Sequence, residues 1–244
     1  MVLWVVLTFA APNFLIEANV TNMMRHVSVA AIIAIGVLCT IVIAGIDLSV
    51  GSVAAFYGVL VAQVLSHGFG VPLSVGLALL AGTGIGVING LGVGVLCIPA
   101  FIVTLAGLQV FRGLALLISG RLTVGGLPPG IKDFARGSVL GIPNLFLTML
   151  GVAVVVHYLL RYTRTGRYLY AIGSNAEASR RQGIPVLRIT LIAYMIRSGL
   201  AALGAVLWSR ASALPRRRWP MRMNFRPLRQ RSLAARACSA GGAP

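Results

Sequence analysis

The sequence predicts an all-α protein, a polytopic transmembrane helical bundle with about six spans plus a partial first helix. Of its 244 residues, 58% are hydrophobic and only 10% are charged, whereas a soluble domain carries roughly 25% charged residues. Several runs approach the ~20 apolar residues that a helix needs to cross a bilayer. The sequence lacks the short alternating segments typical of a membrane β-barrel. The chain is therefore predicted to be embedded in a lipid bilayer.

The spans follow one another with short connections. Residues 1–11 are apolar but too short to cross, and they lack the basic start of a signal peptide, so they are predicted to be half of a first helix. Residues 12–26 are predicted to be a polar connector. Full spans are then predicted at residues 27–45, 48–65, 71–92, 99–119, 142–160 and 190–208.

The third span is rich in glycine. Gly82, Gly86 and Gly90 are four residues apart and therefore share one helical face. In a bilayer, small residues at this spacing let two helix backbones approach closely. A nucleotide-binding loop is disfavoured, because no strand precedes these glycines and no P-loop lysine follows them. We expect this face to pack against another helix.

The orientation is predicted from the basic segment 161–188. By the positive-inside rule this segment is cytoplasmic, since only Glu177 opposes its positive charge. Counting spans backwards places the turn 96–98 inside, and His67 and residues 120–141 outside. The basic residues of the segment are Arg161, Arg164, Arg167, Arg180, Arg181 and Arg188.

Residues 44–52, AGIDLSVGS, place the carboxylate of Asp47 between two apolar runs, with no Lys or Arg within fifteen residues on either side. A charge near membrane depth is costly and commonly functional. Gly45 and Gly51 weaken the helix, while Asp47 and Ser49 are favoured N-cap residues. One interpretation is a capped helix start at the interface. The other is a broken helix whose freed backbone and Asp47 line or gate a polar path, and the two interpretations overlap.

A basic residue inside a span leaves two alternatives of its own. Arg112 lies about a third of the way into its span from the outer end. It either extends its charge to the interface or faces the bundle, where it pairs with Asp47 or a backbone carbonyl.

No residues are predicted for chemical catalysis. The sequence contains no acid pair, triad or metal-ligand spacing, so we predict no catalytic residue, no metal, no cofactor and no enzymatic activity of the chain itself. The three cysteines, Cys39, Cys97 and Cys238, are predicted to be core or lipid-facing thiols. His67 and His157 are predicted to be interfacial or helix-packing residues.

Three ordered segments carry a family resemblance: GIDLSVGSV at 45–53, IPAFIVTLAGLQVFRGLALLISG at 98–120, and TRTGRYLYAIGSNAEASRRQGI at 163–184. From about residue 9 to 213, the chain resembles permease subunits of ABC sugar importers of the ribose/xylose/galactose type. The resemblance implies a type II-like ABC importer permease in the bacterial inner (cytoplasmic) membrane. It implies translocation of a ribose- or xylose-like monosaccharide with energy from separate ATPase subunits.

The resemblance also implies partners and site residues. The partners are an ABC ATPase subunit, a second permease copy or paralogue, an extracytoplasmic sugar-binding protein and membrane lipid, with no nucleic acid. The predicted path or gating residues are Gly45, Asp47, Ser49, Gly51 and Arg112. In the third segment, Glu177, Ala178, Ser179 and Gly183 follow the EAA-x-x-x-G pattern of ATPase-docking loops, with Ser179 in place of the second alanine. The predicted docking residues are Gly166, Arg167, Tyr170, Gly173, Asn175, Glu177, Ala178 and Gly183.

Two features depart from the family pattern. Residues 1–213 form the predicted permease domain, incomplete relative to the family, whereas 214–244 are a basic, Pro/Arg-rich tail, expected to be disordered or read out of frame. Nine of the 21 basic residues are arginines within 210–244. Arg197 stands where the family favours an uncharged residue. The alternative functions are a secondary transporter or channel, and a non-functional fragment of a damaged permease gene.

Overall fold

The computed structural model describes Phe14 and residues 16–119, 137–139 and 141–211. Predictions for residues 1–11, for most of 120–141 and for the tail 214–244 lie outside the described residues. Strands β1 (Ser138–Val139) and β2 (Ile142–Pro143) pair antiparallel. The helices are α1 (Glu17–Val42), α2 (Val50–Ser66), α3 (Val71–Gly94), α4 (Ala100–Ser119), α5 (Asn144–Tyr162), α6 (Arg164–Ser174), α7 (Ala176–Arg181) and α8 (Val186–Ala211).

Six of these helices form a membrane bundle. Helices α1, α3, α4, α5 and α8 are long and apolar enough to cross a bilayer, and α2 is a shorter apolar helix. The bundle exposes large apolar side chains such as Leu117 (78% exposed) and Leu80 (69% exposed). Such surfaces suit lipid and not water. The predicted all-α, polytopic architecture is confirmed.

One predicted connection was wrong in its detail, because the polar connector predicted at 12–26 is helical from Glu17 onward. The basic segment 161–188 contains the two short helices α6 and α7. Helix α8 begins at Val186, before the predicted residue 190. Hydropathy marks where a helix enters lipid, whereas backbone hydrogen bonding continues through polar residues at the interface. Apolar runs therefore underestimate helix length.

Helix α8 occupies the centre of the bundle, where it packs against α1, α2 and α3. The glycines of α3 face it. A Cβ added at Gly82 would lie 2.9 Å from the Cβ of Ala202, and one added at Gly86 would lie 2.6 Å from the carbonyl oxygen of Tyr194. At Gly90 it would lie 2.9 Å from Leu191 Cδ2. The predicted close packing through small residues is confirmed, and α8 is the helix on which it acts.

Substitution of Gly86 by alanine should destabilise the bundle, because the new methyl group would overlap the backbone of α8. Overpacking of this kind costs about 1–3 kcal/mol. Gly84→Ala is the matched control, since nothing lies within 4 Å of a Cβ there and alanine favours a helix by about 1 kcal/mol over glycine. Thermal unfolding in detergent should show a lower midpoint for G86A only. Equal midpoints would contradict the packing.

Candidate functional site

The transmembrane helices are interrupted between α1 and α2. Residues 43–49 are not helical, and the N–H groups of Ala44 and Gly45 return to the carbonyl oxygens of Ile41 and Thr40, both at 2.9 Å. A Cβ at Gly45 would lie 3.2 Å from both the Thr40 carbonyl oxygen and the Tyr194 hydroxyl. Glycine thus permits the close approach of this segment to α8. We call residues 43–49 the break segment.

The break segment carries a buried ion pair with α8. Asp47 Oδ2 lies 2.8 Å from Arg197 Nε, and both side chains are completely buried. Arg197 Nη2 also donates a hydrogen bond of 2.9 Å to Asp47 Oδ1. Desolvating two charges is costly unless they pair closely and their remaining hydrogen-bonding groups are satisfied. This pair therefore fixes the break segment to the central helix.

Serine hydroxyls complete the pair. Asp47 Oδ1 accepts hydrogen bonds from the backbone N–H and the hydroxyl of Ser49, each at 2.8 Å. Arg197 Nη2 lies within hydrogen-bonding distance, 3.1 Å, of Ser49 Oγ, and Nη1 donates to Ser198 Oγ at 3.1 Å. Ser49 holds the N-cap position of α2, but its hydroxyl makes no capping bond. The hydroxyl contacts Asp47 and Arg197 instead.

Helix α4 also contacts the break segment. The buried hydroxyl of Thr104 accepts from the Leu48 N–H at 3.3 Å and lies 3.2 Å from the Ile46 carbonyl oxygen. These contacts satisfy backbone groups that the break would otherwise leave unpaired in an apolar surrounding. The break segment is therefore held in place by the ion pair with α8 and by hydrogen bonds with α4.

Two further polar groups lie beside this cluster. Asn89 of α3 is 3% exposed and Tyr194 of α8 is fully buried. Among the described residues, neither Asn89 Nδ2 nor the Tyr194 hydroxyl has a hydrogen-bond partner. A Cβ at Gly107 would lie 3.5 Å from Asn89 Oδ1 and 3.6 Å from the Ser49 Cβ, which places Asn89 next to the break segment. The bundle centre thus contains two buried polar groups that the described residues leave without a hydrogen-bond partner.

The structure separates two predicted residues from this cluster. Gly51 is exposed, with nothing within 4 Å of an added Cβ, and Arg112 is exposed on α4. The pairing of Arg112 with Asp47, one of two alternatives, is not formed. Arg197 takes that place, so a residue that the sequence marks only as a departure proves to be the partner. The general tendency of intramembrane charges to pair is the signal that would have identified it.

Helix α6 packs against one end of the bundle. The Thr163 hydroxyl caps it by accepting from the Gly166 N–H at 3.2 Å. Leu169 and Ile172 are buried in a cluster with residues of α1, α5 and α8. Added Cβ atoms would overlap the Leu159 and Leu160 carbonyls at Gly166, and the Val42 carbonyl at Gly173. Both predicted glycines thus permit direct backbone packing.

Helix α7 is short and capped at both ends. Asn175 Oδ1 accepts from the Ala178 N–H at 2.9 Å. At the other end, Gly183 has a φ of 81°, and the N–H groups of Gly183 and Ile184 bond to the carbonyls of Arg180 and Ser179 at 3.1 and 3.0 Å. This is a Schellman motif, which needs a residue in the left-handed conformation. Gly183 therefore ends α7.

The outer face of α7 is charged. Exposed Glu177 lies 3.6 Å from Arg180 and 3.2 Å from Arg181, and Ala178 is also exposed, whereas Ser179 is buried. Pairs of this exposure contribute little to stability. Arg167 and Tyr170 of α6 are exposed too. The exposed residues of α6 and α7 thus form a polar surface, whereas the buried residues of α6 form an apolar inner side.

Helix α6 contacts the start of the break segment through its inner side. Gly173 packs on the Val42 carbonyl, which ends α1, and the break segment begins at the next residue. The start of α8 and the end of α3 lie at the same end of the bundle, since a Cβ at Gly94 would lie 2.6 Å from Leu187. Displacement of α6 would therefore act directly on the segment that holds Asp47.

No metal centre is found in the part of the chain that the structure describes. That part contains no group of three or more His, Cys, Asp or Glu side chains that could hold a metal ion. The arrangement consists of a buried charge pair, spare polar groups and a polar outer surface.

Comparison with known proteins identifies relatives over most of the chain. The family described as "Branched-chain amino acid transport system / permease component" matches residues 19–217. The ribose import permease proteins of Haemophilus influenzae and Bacillus subtilis are 37% and 38% identical, over 87% and 86% of this chain and 68% and 66% of their own lengths. An autoinducer 2 import system permease protein of Salmonella paratyphi B is 30% identical over 81% of this chain and 57% of its own.

The chain spans about two thirds of the length of the two ribose relatives. No solved structure matches it. The predicted resemblance to sugar-importer permeases is confirmed by these relatives.

Removing one partner of the buried ion pair should destabilise the bundle strongly. Asp47→Asn leaves Arg197 charged and unpaired, at an expected cost of about 3–5 kcal/mol. The double variant D47N/R197Q should be more stable than D47N, because it buries no unpaired charge. Thermal unfolding in detergent measures both.

Arg112→Gln is the control, because it also removes an arginine from a span but the residue is exposed. It should leave the unfolding midpoint near that of the unmodified chain. A D47N variant as stable as R112Q would contradict the role assigned to the ion pair.

Proposed function

Because this chain belongs to the family of permease components of transport systems, we propose that it is the membrane permease subunit of an ABC importer for a monosaccharide. The family description names branched-chain amino acids, whereas several relatives at 34–38% identity are named for ribose import. Those relatives match the chain individually and over most of its length. They favour a ribose-like sugar as the solute.

The observation that carries the proposal is the contact between the break segment and the inner side of α6, whose outer side is exposed. A sugar needs hydroxyl partners along its path, and Ser49, Asn89 and Tyr194 supply polar groups beside the ion pair. An ATP-driven importer also needs a surface that receives force and a rigid link from it to the path. Gly173 packed on the end of α1 supplies that link.

The coupling follows from this geometry. An ABC ATPase subunit docks on α7 and the exposed residues of α6, whose small and charged side chains suit a polar protein groove. ATP binding then shifts α6, which moves the end of α1 and the break segment. Asp47 and Arg197 separate or re-pair as the bundle changes between outward-facing and inward-facing states. Gly45 and Ser49 belong to this gate, whereas the exposed residues Gly51 and Arg112 do not.

The assembly and location extend the proposal. The chain is a multi-pass protein of the bacterial inner membrane, with α6 and α7 in the cytoplasm. It pairs with a second permease copy or paralogue, and an extracytoplasmic binding protein delivers the sugar. ATP hydrolysis belongs to the separate ATPase subunits.

Uptake tests the proposed coupling. Gly183→Val should abolish ribose uptake while the chain still inserts, because a β-branched residue at positive φ is strained by about 1–3 kcal/mol and would open the end of α7. Gly68→Val is the matched control. Gly68 has a φ of 83°, and like Gly183 it has nothing within 4 Å of an added Cβ, but it follows α2 at the other end of the bundle.

Radiolabelled ribose uptake by cells of the source organism, deleted for the native gene and supplied with each variant, measures the effect. Uptake should stop on ATP depletion and persist when the proton gradient is collapsed. A proton-dependent uptake that tolerates G183V would instead indicate a secondary transporter. No uptake, with no ATPase co-purifying, would indicate a non-functional fragment.

Thiol labelling tests the orientation. In a Cys238→Ser variant, exposed Cys97 and buried Cys39 remain. A membrane-impermeant maleimide should label Cys97 only after the cells are permeabilised, because the turn after α3 lies at the α6 end. A His67→Cys variant carries its added thiol at the opposite end and should be labelled in intact cells. The reverse pattern would contradict the cytoplasmic placement of α6 and α7.

A further inference from the structure

A cavity of about 490 Å³ opens on the outside of the bundle where α1, α5 and α6 meet. Its wall is apolar and is formed by Ile35 and Leu38 of α1 and by Ala153 and Val156 of α5. From Ala153 to Arg161, this wall runs for about 12 Å at the helical rise of 1.5 Å per residue. That length matches part of an acyl chain lying along a helix.

The rim of the cavity is basic and polar. Arg161 at the end of α5 and Arg167 and Tyr170 of α6 line it, together with His157. Both arginines are exposed, and neither guanidinium has an ion-pair or hydrogen-bond partner among the described residues. The nearest acid in sequence, Glu177, is already paired with Arg180 and Arg181. The rim therefore carries two unneutralised positive charges above an apolar wall.

We propose that this cavity binds one anionic phospholipid, with its phosphate between Arg161 and Arg167 and an acyl chain along α1 and α5. Basic pockets between helices at the cytoplasmic side of a membrane suit anionic headgroups. The Tyr170 hydroxyl adds a donor for a phosphate oxygen. A bound lipid would stabilise the junction between α5 and α6, next to the surface on which the ATPase is proposed to dock. The inference does not rest on sugar import, since it needs only a membrane.

Native mass spectrometry of the full chain in mild detergent tests the site, with palmitoyl-oleoyl phosphatidylglycerol and phosphatidylcholine as probes. Phosphatidylglycerol should bind more tightly than phosphatidylcholine. The variant R161Q/R167Q should bind phosphatidylglycerol about 25-fold more weakly, because each arginine near an anionic headgroup contributes about a factor of five. The variant R161K/R167K should retain most of the binding.

The matched control is R164Q/R188Q. It removes the same charge from the same basic segment, at exposed arginines that do not line the cavity, and it should bind phosphatidylglycerol as the unmodified chain does. Ala153→Phe tests the apolar wall, because the ring would fill the groove and should also weaken binding. Inorganic phosphate at millimolar concentration should not displace the lipid.

Four results would overturn the proposal. Equal weakening by R161Q/R167Q and R164Q/R188Q would mean a general attraction to a basic surface. Equal binding of phosphatidylcholine would remove the headgroup contact. Binding that survives A153F, or that free phosphate abolishes, would mean that no acyl chain occupies the groove.

Discussion

The buried contact between Asp47 and Arg197 is the interaction on which the rest of this bundle depends. The two residues are 150 positions apart, so their contact joins the first described helix pair to the last helix. Neither charge is tolerable alone in an apolar interior. Each therefore determines where the other element must lie. The hydroxyls of Ser49 and Ser198 bond to the pair, and Thr104 bonds to the backbone of the break segment. A break in a membrane helix persists here because its freed groups are bonded.

Small residues make the contact reachable. Gly82, Gly86 and Gly90 bring α3 against the backbone of α8, and Gly45 brings the break segment against Tyr194. The arginine at 197 can then reach Asp47 from a helix that is packed on three sides. Close packing also restricts how the pair can separate, because α8 cannot shift without moving α1 and α3. The proposed gate would therefore have two packed arrangements and few intermediate ones.

The end of the bundle that carries α6 combines three roles at one corner. Its inner face supplies Leu169 and Ile172 to the apolar cluster. Gly166 and Gly173 of α6 pack on the ends of α5 and α1. Arg161 of α5 and Arg167 of α6 carry the positive charge of the cavity rim. Force from an ATPase and attachment of a lipid would both act at this corner. Their effects are separable, since Gly183 belongs to α7 and the cavity is lined by α1, α5 and α6.

The sequence by itself determined the membrane class, the order of the helices, the glycine face of α3 and the turn at Gly183. These features are local, because they follow from apolar run length, helical spacing and the φ that a helix end requires. Tertiary structure alone decided that Asp47 pairs with Arg197 and not with Arg112. Hydropathy treats the two arginines alike, but the packing of α8 at the centre buries one and the position of α4 exposes the other. Which distant charges meet depends on helix rotation and crossing, and no local pattern in the chain specifies these.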